Sequence, residues 1–287
     1  MNKTFLLSVF TIIFFANICA KESPDTTIIK HNNNSYFFVS NGNNESLIIF
    51  LHGGLSNPYF INNPENIALD YLLEGSKVFI QSTIENKFDV LIPITNDSLN
   101  WVGNSAFCYR SITDVMASTK KEYKEIYISG FSDGGTGSYK LFYENQNFFD
   151  GLIVFNGYPQ LDNFNNEVNY STVIDKPVIY FGTKADKTIP YEFMLTEYIE
   201  QKQYNPNTYI YLANGGHSFS YYNLNDFNTL FDILKGSSYN LKTEPIHGFV
   251  KNDQLVYFYK FRKSIMRKYS YGKEYYTLNK KQMGMYK

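Results

Sequence analysis

Apolar positions along the chain fall into two patterns: short continuous runs, and longer stretches in which apolar residues recur every three or four positions. Runs at 47–51, 78–81, 126–129, 152–155, 178–181 and 209–212 are rich in β-branched and aromatic residues and lack strict polar alternation. They predict strands buried on both faces. The segments 114–124, 137–143, 191–203 and 225–234 carry helix-like sequence between them. Strand and helix in alternation predict an α/β protein with a mostly parallel central sheet and helices on both faces, because a parallel strand pair needs a crossover long enough to hold a helix. Ahead of this rhythm, 26–30 and 36–40 read as an antiparallel hairpin at the N-terminal edge, turned across Asn32-Asn33-Asn34. The sequence shows neither an internal repeat nor a long linker.

The first twenty residues follow a different rule. Lys3 gives a positive start, Phe5 to Phe15 is almost wholly apolar, and Ile18-Cys19-Ala20 ends on a small residue. That is the pattern of a secretory signal peptide cut after Ala20, and it implies a secreted or periplasmic protein. The apolar run is shorter than the ~20 residues a membrane-spanning helix needs. Lipid attachment at Cys19 is the weaker alternative, because Ala16-Asn17-Ile18 lacks the small residue expected directly before such a cysteine. Without residues 1–20, Cys108 is the only cysteine left, so an internal disulfide is impossible. Cys108 then reads as a small buried hydrophobe rather than a catalytic thiol.

Composition changes this picture in one place. Apolar residues make up 44% of the chain, enough for a sizeable core, and Tyr and Phe are abundant at 26 and 25. The net charge of −1 gives no reason to expect a nucleic-acid partner, yet residues 251–287 hold ten Lys or Arg against two acidic residues. The expected organisation is a leader at 1–20, an α/β domain at 21–241 and a basic, aromatic extension at 242–287. The extension reads as a solvated segment pinned to the domain through Val256-Tyr257-Phe258-Tyr259. Its alternative role is a surface for an anionic envelope or polymer, since clustered cations raise the local anion concentration.

Four motifs carry candidate chemistry. Gly130-Phe131-Ser132-Asp133-Gly134 follows the strand at 126–129 and leads into the helical 137–143, so Ser132 sits on a sharp strand-to-helix turn whose glycines tolerate the backbone strain. Leu47-Ile48-Ile49-Phe50-Leu51 runs into His52-Gly53-Gly54-Leu55, a turn able to present backbone amides to a developing oxyanion. The candidate donors are the amides of Asp133 and of Gly54 or Leu55, with His52 bracing the loop through its ring. The strand at 178–181 exits through Gly182-Thr183-Lys184-Ala185-Asp186, and that at 209–212 through Ala213-Asn214-Gly215-Gly216-His217. A serine hydroxyl is a poor nucleophile until an imidazole takes its proton, and a carboxylate fixes the imidazole tautomer. Ser132, His217 and Asp186 supply these three groups. Asp162, after the strand at 152–155, is the rival acid. His31 precedes the motif-bearing strands and His247 lies in the extension.

These motifs resemble the α/β-hydrolase superfamily, and within it the broad esterase group of phospholipase/carboxylesterases, dienelactone hydrolases and polyhydroxybutyrate depolymerase or feruloyl esterase-like proteins. The resemblance covers residues 45–235. It implies the α/β-hydrolase fold, the chain order Ser132, Asp186, His217, and acyl-enzyme chemistry needing neither cofactor nor metal, on a small-molecule or polymer ester. It does not imply a particular substrate. Trp101, Phe131 and Tyr158 are candidate pocket residues, although a Trp at such a position also fits a core. Two alternatives stand beside ester hydrolysis. One is a serine peptidase of the prolyl oligopeptidase type, for whose additional propeller domain 287 residues leave no room. The other is a non-catalytic binding protein on the same fold. Oligomeric state has no signature in the sequence.

Overall fold

The computed structural model describes residues 25–31, 34–54, 77–94, 101, 105–158 and 168–236. The leader, Leu55, Asp162, His247 and the extension at 242–287 lie outside these residues. Within them, one eight-stranded sheet is built from β1 (Asp25–His31), β2 (Asn34–Ser40), β3 (Ser46–Leu51), β4 (Phe88–Ile94), β5 (Glu125–Phe131), β6 (Gly151–Phe155), β7 (Val178–Thr183) and β8 (Thr208–Ala213), in the order β1-β2-β4-β3-β5-β6-β7-β8. The expected edge hairpin is present: β1 pairs antiparallel with β2, and β2 antiparallel with β4. Every remaining pair is parallel.

Five α-helices, α1 (Lys77–Glu85), α2 (Ser105–Thr119), α3 (Asp133–Glu144), α4 (Tyr191–Lys202) and α5 (Leu224–Leu234), and two 3-10 turns, Tyr170–Thr172 and Phe219–Tyr221, complete the described fold. Alternate strand residues point to opposite faces, and the core divides accordingly. Ile48, Phe50, Val90, Ile92, Phe155 and Phe181 pack with Phe79 of α1 and Phe227 of α5. Leu47, Ile49, Leu51, Leu152 and Val178 face the other way, against Cys108 of α2, Phe142 of α3 and Met194 of α4. Both faces of the sheet are therefore covered, which is why its inner strands read as unbroken apolar runs.

Two expected elements are corrected. The run 78–81 is not a strand but part of α1, where Phe79, Ile80, Thr83 and Ile84 are buried and Val78 is exposed, a helical spacing. The strand slot beside β3 belongs to β4, whose Asp89 and Pro93 break its sequence pattern. Asp89 is fully buried and is satisfied by Asn44 Nδ2 at 2.9 Å, Lys121 Nζ at 2.6 Å and the Tyr123 hydroxyl at 2.8 Å. Pro93 lies beyond Leu91, the last residue paired with β3, so its missing N–H costs no ladder bond on that side. The helix expected at 114–124 begins earlier, at Ser105, and stops before Lys120, whose φ of 53° places it in the left-handed region where helices end.

The loop after β3 is braced from below. The His52 ring is fully buried, with Nδ1 2.6 Å from the Gly53 carbonyl oxygen. A carbonyl only accepts, so Nδ1 is the protonated nitrogen. Trp101 donates its indole N–H to the His52 carbonyl at 2.8 Å and meets the imidazole edge-on, with centroids 4.9 Å apart. A Cβ added at Gly137 of α3 would collide with Trp101. Trp101 is 1% exposed and wedges the loop against α3, the core placement that its sequence position also allowed.

Two measurements test this packing. Phe79→Ala should lower the unfolding free energy by ~3–5 kcal/mol in urea, and Val78→Ala should change it by less than ~0.5 kcal/mol. A strand at 78–81 would not give that ratio. Burial pushes the His52 pKa down to about 4 from 6.5. The unfolded chain then takes up a proton that the folded one refuses, so the contribution is fully present above pH 6.5 and is lost as the pH falls towards 4. The loss should approach ~3 kcal/mol, and in His52→Gln urea midpoints between pH 7.5 and 4.5 should lose this part of their pH dependence.

Candidate active site

Ser132 occupies the single residue between β5 and α3, with φ 56° and ψ −118°. Few side chains tolerate a positive φ, and such strain persists only where the surroundings enforce it. The enforcement is visible in two glycines. A Cβ at Gly130 would collide with the carbonyl of Gly134, and one at Gly134 with the carbonyl oxygens of Leu51 and His52. These close approaches bring the turn against the end of β3. The Ser132 amide donates to the Phe155 carbonyl at 2.9 Å, tying the turn to β6 as well. Ser132 therefore stands above the C-terminal end of the sheet, at the start of α3, where the helix dipole favours negative charge.

The loops after β7 and β8 meet it there. Ser132 Oγ is 2.7 Å from His217 Nε2, and His217 Nδ1 is 2.7 Å from Asp186 Oδ2. Asp186 is buried, whereas the His217 side chain retains 19% exposure. The carboxylate can only accept, so Nδ1 donates and Nε2 is left to accept from the serine hydroxyl. Asp186 Oδ1 takes the backbone amides of Thr188 at 2.8 Å and Ile189 at 2.9 Å. Phe131 lies against the His217 ring at 5.1 Å, and Phe219 packs behind Phe131 at 5.6 Å.

Three further residues complete the network, and none was singled out from sequence. Asn156, directly after β6, donates Nδ2–H to Asp186 Oδ2 at 2.6 Å and is 2.9 Å from Thr183 Oγ1. Thr183 donates to the Gly216 carbonyl at 2.7 Å. The Tyr222 hydroxyl donates to Asn156 Oδ1 and lies 3.0 Å from the Phe181 carbonyl. Burial, and secondarily the charges of Asp186 and Asp226, hold the Tyr222 hydroxyl well above its ordinary pKa, so it remains a donor. The available signal was positional, since Asn156 is the first polar residue after a fully buried strand. An Asn there reads equally well as a turn former.

The remaining candidates are placed as follows. A Cβ at Gly53 would lie 3.6 Å from Ser132 Cβ, so the loop after β3 faces the serine at close range, with Gly54 exposed beyond it. Asp133 opens α3. Tyr158 is 2% exposed and packs its ring on Phe193 at 4.8 Å, forming a small apolar cluster with Ile189. His31 belongs to β1, at the far edge of the sheet from β8. Cys108 is buried in α2. Among the described residues, no group of three or more His, Cys, Asp or Glu converges as a metal site would require, and no helix is long and apolar enough to cross a membrane.

No family model and no curated protein sequence matches the chain. Solved structures do. An esterase of Pyrococcus furiosus aligns at 15% identity over 75% of this chain and 91% of its own, with a TM-score of 0.56. Est1E from Butyrivibrio proteoclasticus aligns at 14% identity over 74% of this chain and 98% of its own, with a TM-score of 0.51. An acylaminoacyl peptidase of Pyrococcus horikoshii aligns at 14% identity over 79% of this chain and 42% of its own, with a TM-score of 0.50. At such identities the likeness concerns architecture, and with the strand order and the strand-end loops described above it identifies the chain's architecture as the α/β-hydrolase fold.

Proposed function

We propose that this protein is a serine hydrolase that cleaves carboxylic esters through an acyl-enzyme on Ser132. The observation that carries the reading is the hydrogen-bonded line from Ser132 Oγ through the His217 ring to the buried carboxylate of Asp186. His217 Nε2 takes the hydroxyl proton as Oγ bonds to the ester carbonyl carbon, and the carbonyl electrons move onto oxygen. Collapse of this intermediate breaks the bond to the alkoxy group, which leaves as an alcohol with the proton from Nε2. Water repeats the sequence on the acyl-enzyme, releasing the acid and restoring the serine.

The amides of Asp133 and of Gly54 or Leu55 receive the oxyanion in this scheme. A trans peptide points its C=O and N–H in opposite directions. With the Gly53 carbonyl turned to the His52 ring, the Gly54 amide is directed away from that ring. Each donor of this kind is worth ~3 kcal/mol of barrier. Phe131 and Tyr158 contribute the apolar surface near the reacting centre. The work is done outside the cytoplasm, as the first twenty residues imply, and the basic stretch at 251–287 is available to an anionic surface there.

The mature protein should hydrolyse p-nitrophenyl acetate, butyrate or octanoate and react with a fluorophosphonate probe. Ser132→Ala should lose the labelling and lower kcat at least ~10⁴-fold. A folded wild type that neither turns over nor labels would sink the proposal, and faster cleavage of peptide amides than of esters would favour the peptidase alternative. For export, the N-terminal residue of protein recovered from outside the cytoplasm should be Lys21. An N-terminus retained at Met1 in that fraction would contradict cleavage after Ala20.

A further inference from the structure

We propose that Asn156 is a positioning residue for the proton relay: one side-chain amide holds Asp186 and the loop bearing His217 in a common frame, so that losing it slows the chemistry and changes how His217 titrates. The proposal rests on the function argued above. Its geometric basis is that the amide, at the end of β6, contacts the end of β7 and its exit loop directly and reaches the loop bearing His217 through Thr183 and Tyr222. Nδ2 reaches Asp186 Oδ2, the oxygen that also accepts from His217 Nδ1, and it reaches Thr183 Oγ1, whose hydroxyl is bonded to the carbonyl of Gly216. Gly216 directly precedes His217. Oδ1 of the same amide accepts from Tyr222, beyond His217 in the chain. The acid is thus gripped directly, and the histidine loop is gripped on both sides of the imidazole.

The position is also costly to occupy. Asn156 is fully buried and has φ 44°, in the left-handed region that Asn enters more readily than most residues. A residue that only ended β6 would need neither burial of a carboxamide nor that angle. The amide bonds to the Asp186 carboxylate and to a hydroxyl within the relay's own scaffold, so its effect reaches the imidazole through Asp186 Oδ2. Other titratable groups on the surrounding elements include Tyr158 beyond β6, Tyr180 of β7, Tyr211 of β8, Tyr221, Tyr222 and Asp226 beyond β8, Lys184 and Lys187, both exposed after β7, and Asp133 at the start of α3.

The decisive variant is Asn156→Gly, because glycine accepts the positive φ and removes only the amide, whereas Asn156→Ala adds backbone strain. With one donor fewer on Oδ2, the carboxylate charge acts more strongly on the imidazolium. The His217 ring protons, followed by NMR, should therefore titrate at higher pH, and the acid limb of kcat/KM should move the same way. The kcat per fluorophosphonate-reactive site should fall about tenfold or more with KM near wild type. Tyr222→Phe, which deletes one hydroxyl, should shift both readouts in the same direction by less, and it carries the test if Asn156→Gly does not fold. A purely structural role would lower the amount of folded protein while leaving kcat per site and the His217 titration at their wild-type values. That result, or a shift to lower pH, would overturn the proposal. The NMR titration needs no turnover, so a wild type without esterase activity would refute the function while this reading was still tested.

Discussion

Burying the Asp186 carboxylate is the constraint on which the site depends. An ionised carboxylate taken out of water costs several kcal/mol unless hydrogen-bond donors replace its hydration. Four donors do so here: the amides of Thr188 and Ile189 on one oxygen, and Asn156 and His217 on the other. Two belong to the acid's own loop, one to the end of β6 and one to the loop after β8. They converge only if the three strands keep their register, in which Phe155 pairs with Phe181 and Phe181 with Tyr211. A slip of one residue would turn each strand's buried set to the opposite face and carry Asn156 away from the acid.

That register is held from beneath by aromatic packing. Phe155 contacts Phe50, Phe79, Phe181, Phe219 and Tyr222, with centroids 5.1–6.4 Å apart. Phe219 and Tyr222 follow His217 closely in the chain, so the loop that supplies the imidazole is anchored in the core on its C-terminal side. On its N-terminal side Gly215, at φ 133°, is covered by the Tyr221 ring. The polar network is small, but each member is attached to a rigid neighbour, as a geometry of 2.7 Å contacts requires.

Much of this architecture was legible in the sequence because strands buried on both faces announce themselves as apolar runs. β3, β5, β6, β7 and β8 were read to within two or three residues of their observed limits, and so was the edge hairpin. The failure over 78–94 has one cause. Val78-Phe79-Ile80 carries local strand propensity, but the tertiary structure uses it as a helix face, while the true strand is disguised by Asp89 and Pro93. Asp89 is tolerable only because Asn44, Lys121 and Tyr123 reach it, and those partners are distant in sequence. The same distance hid Asn156, Thr183 and Tyr222. Ser132, Asp186 and His217 were legible as chemistry-bearing residues at strand ends, and the structure brings them together. The residues that support them have ordinary identities, and only the folded chain gives them meaning.

His52 and His217 make the distinction between location and partner concrete. Both follow a strand into or out of a glycine pair, and both are fixed through Nδ1. His52 directs that nitrogen at a backbone carbonyl in a fully buried site, where burial drives its pKa to about 4. At neutral pH it remains uncharged and serves as a donor to its own loop. His217 directs Nδ1 at a carboxylate, with part of its ring open to solvent. A proton arriving on Nε2 of His217 therefore produces a cation 2.7 Å from an anion. The proposed proton transfer needs that compensation, and the Gly53 carbonyl that faces His52 offers only a dipole.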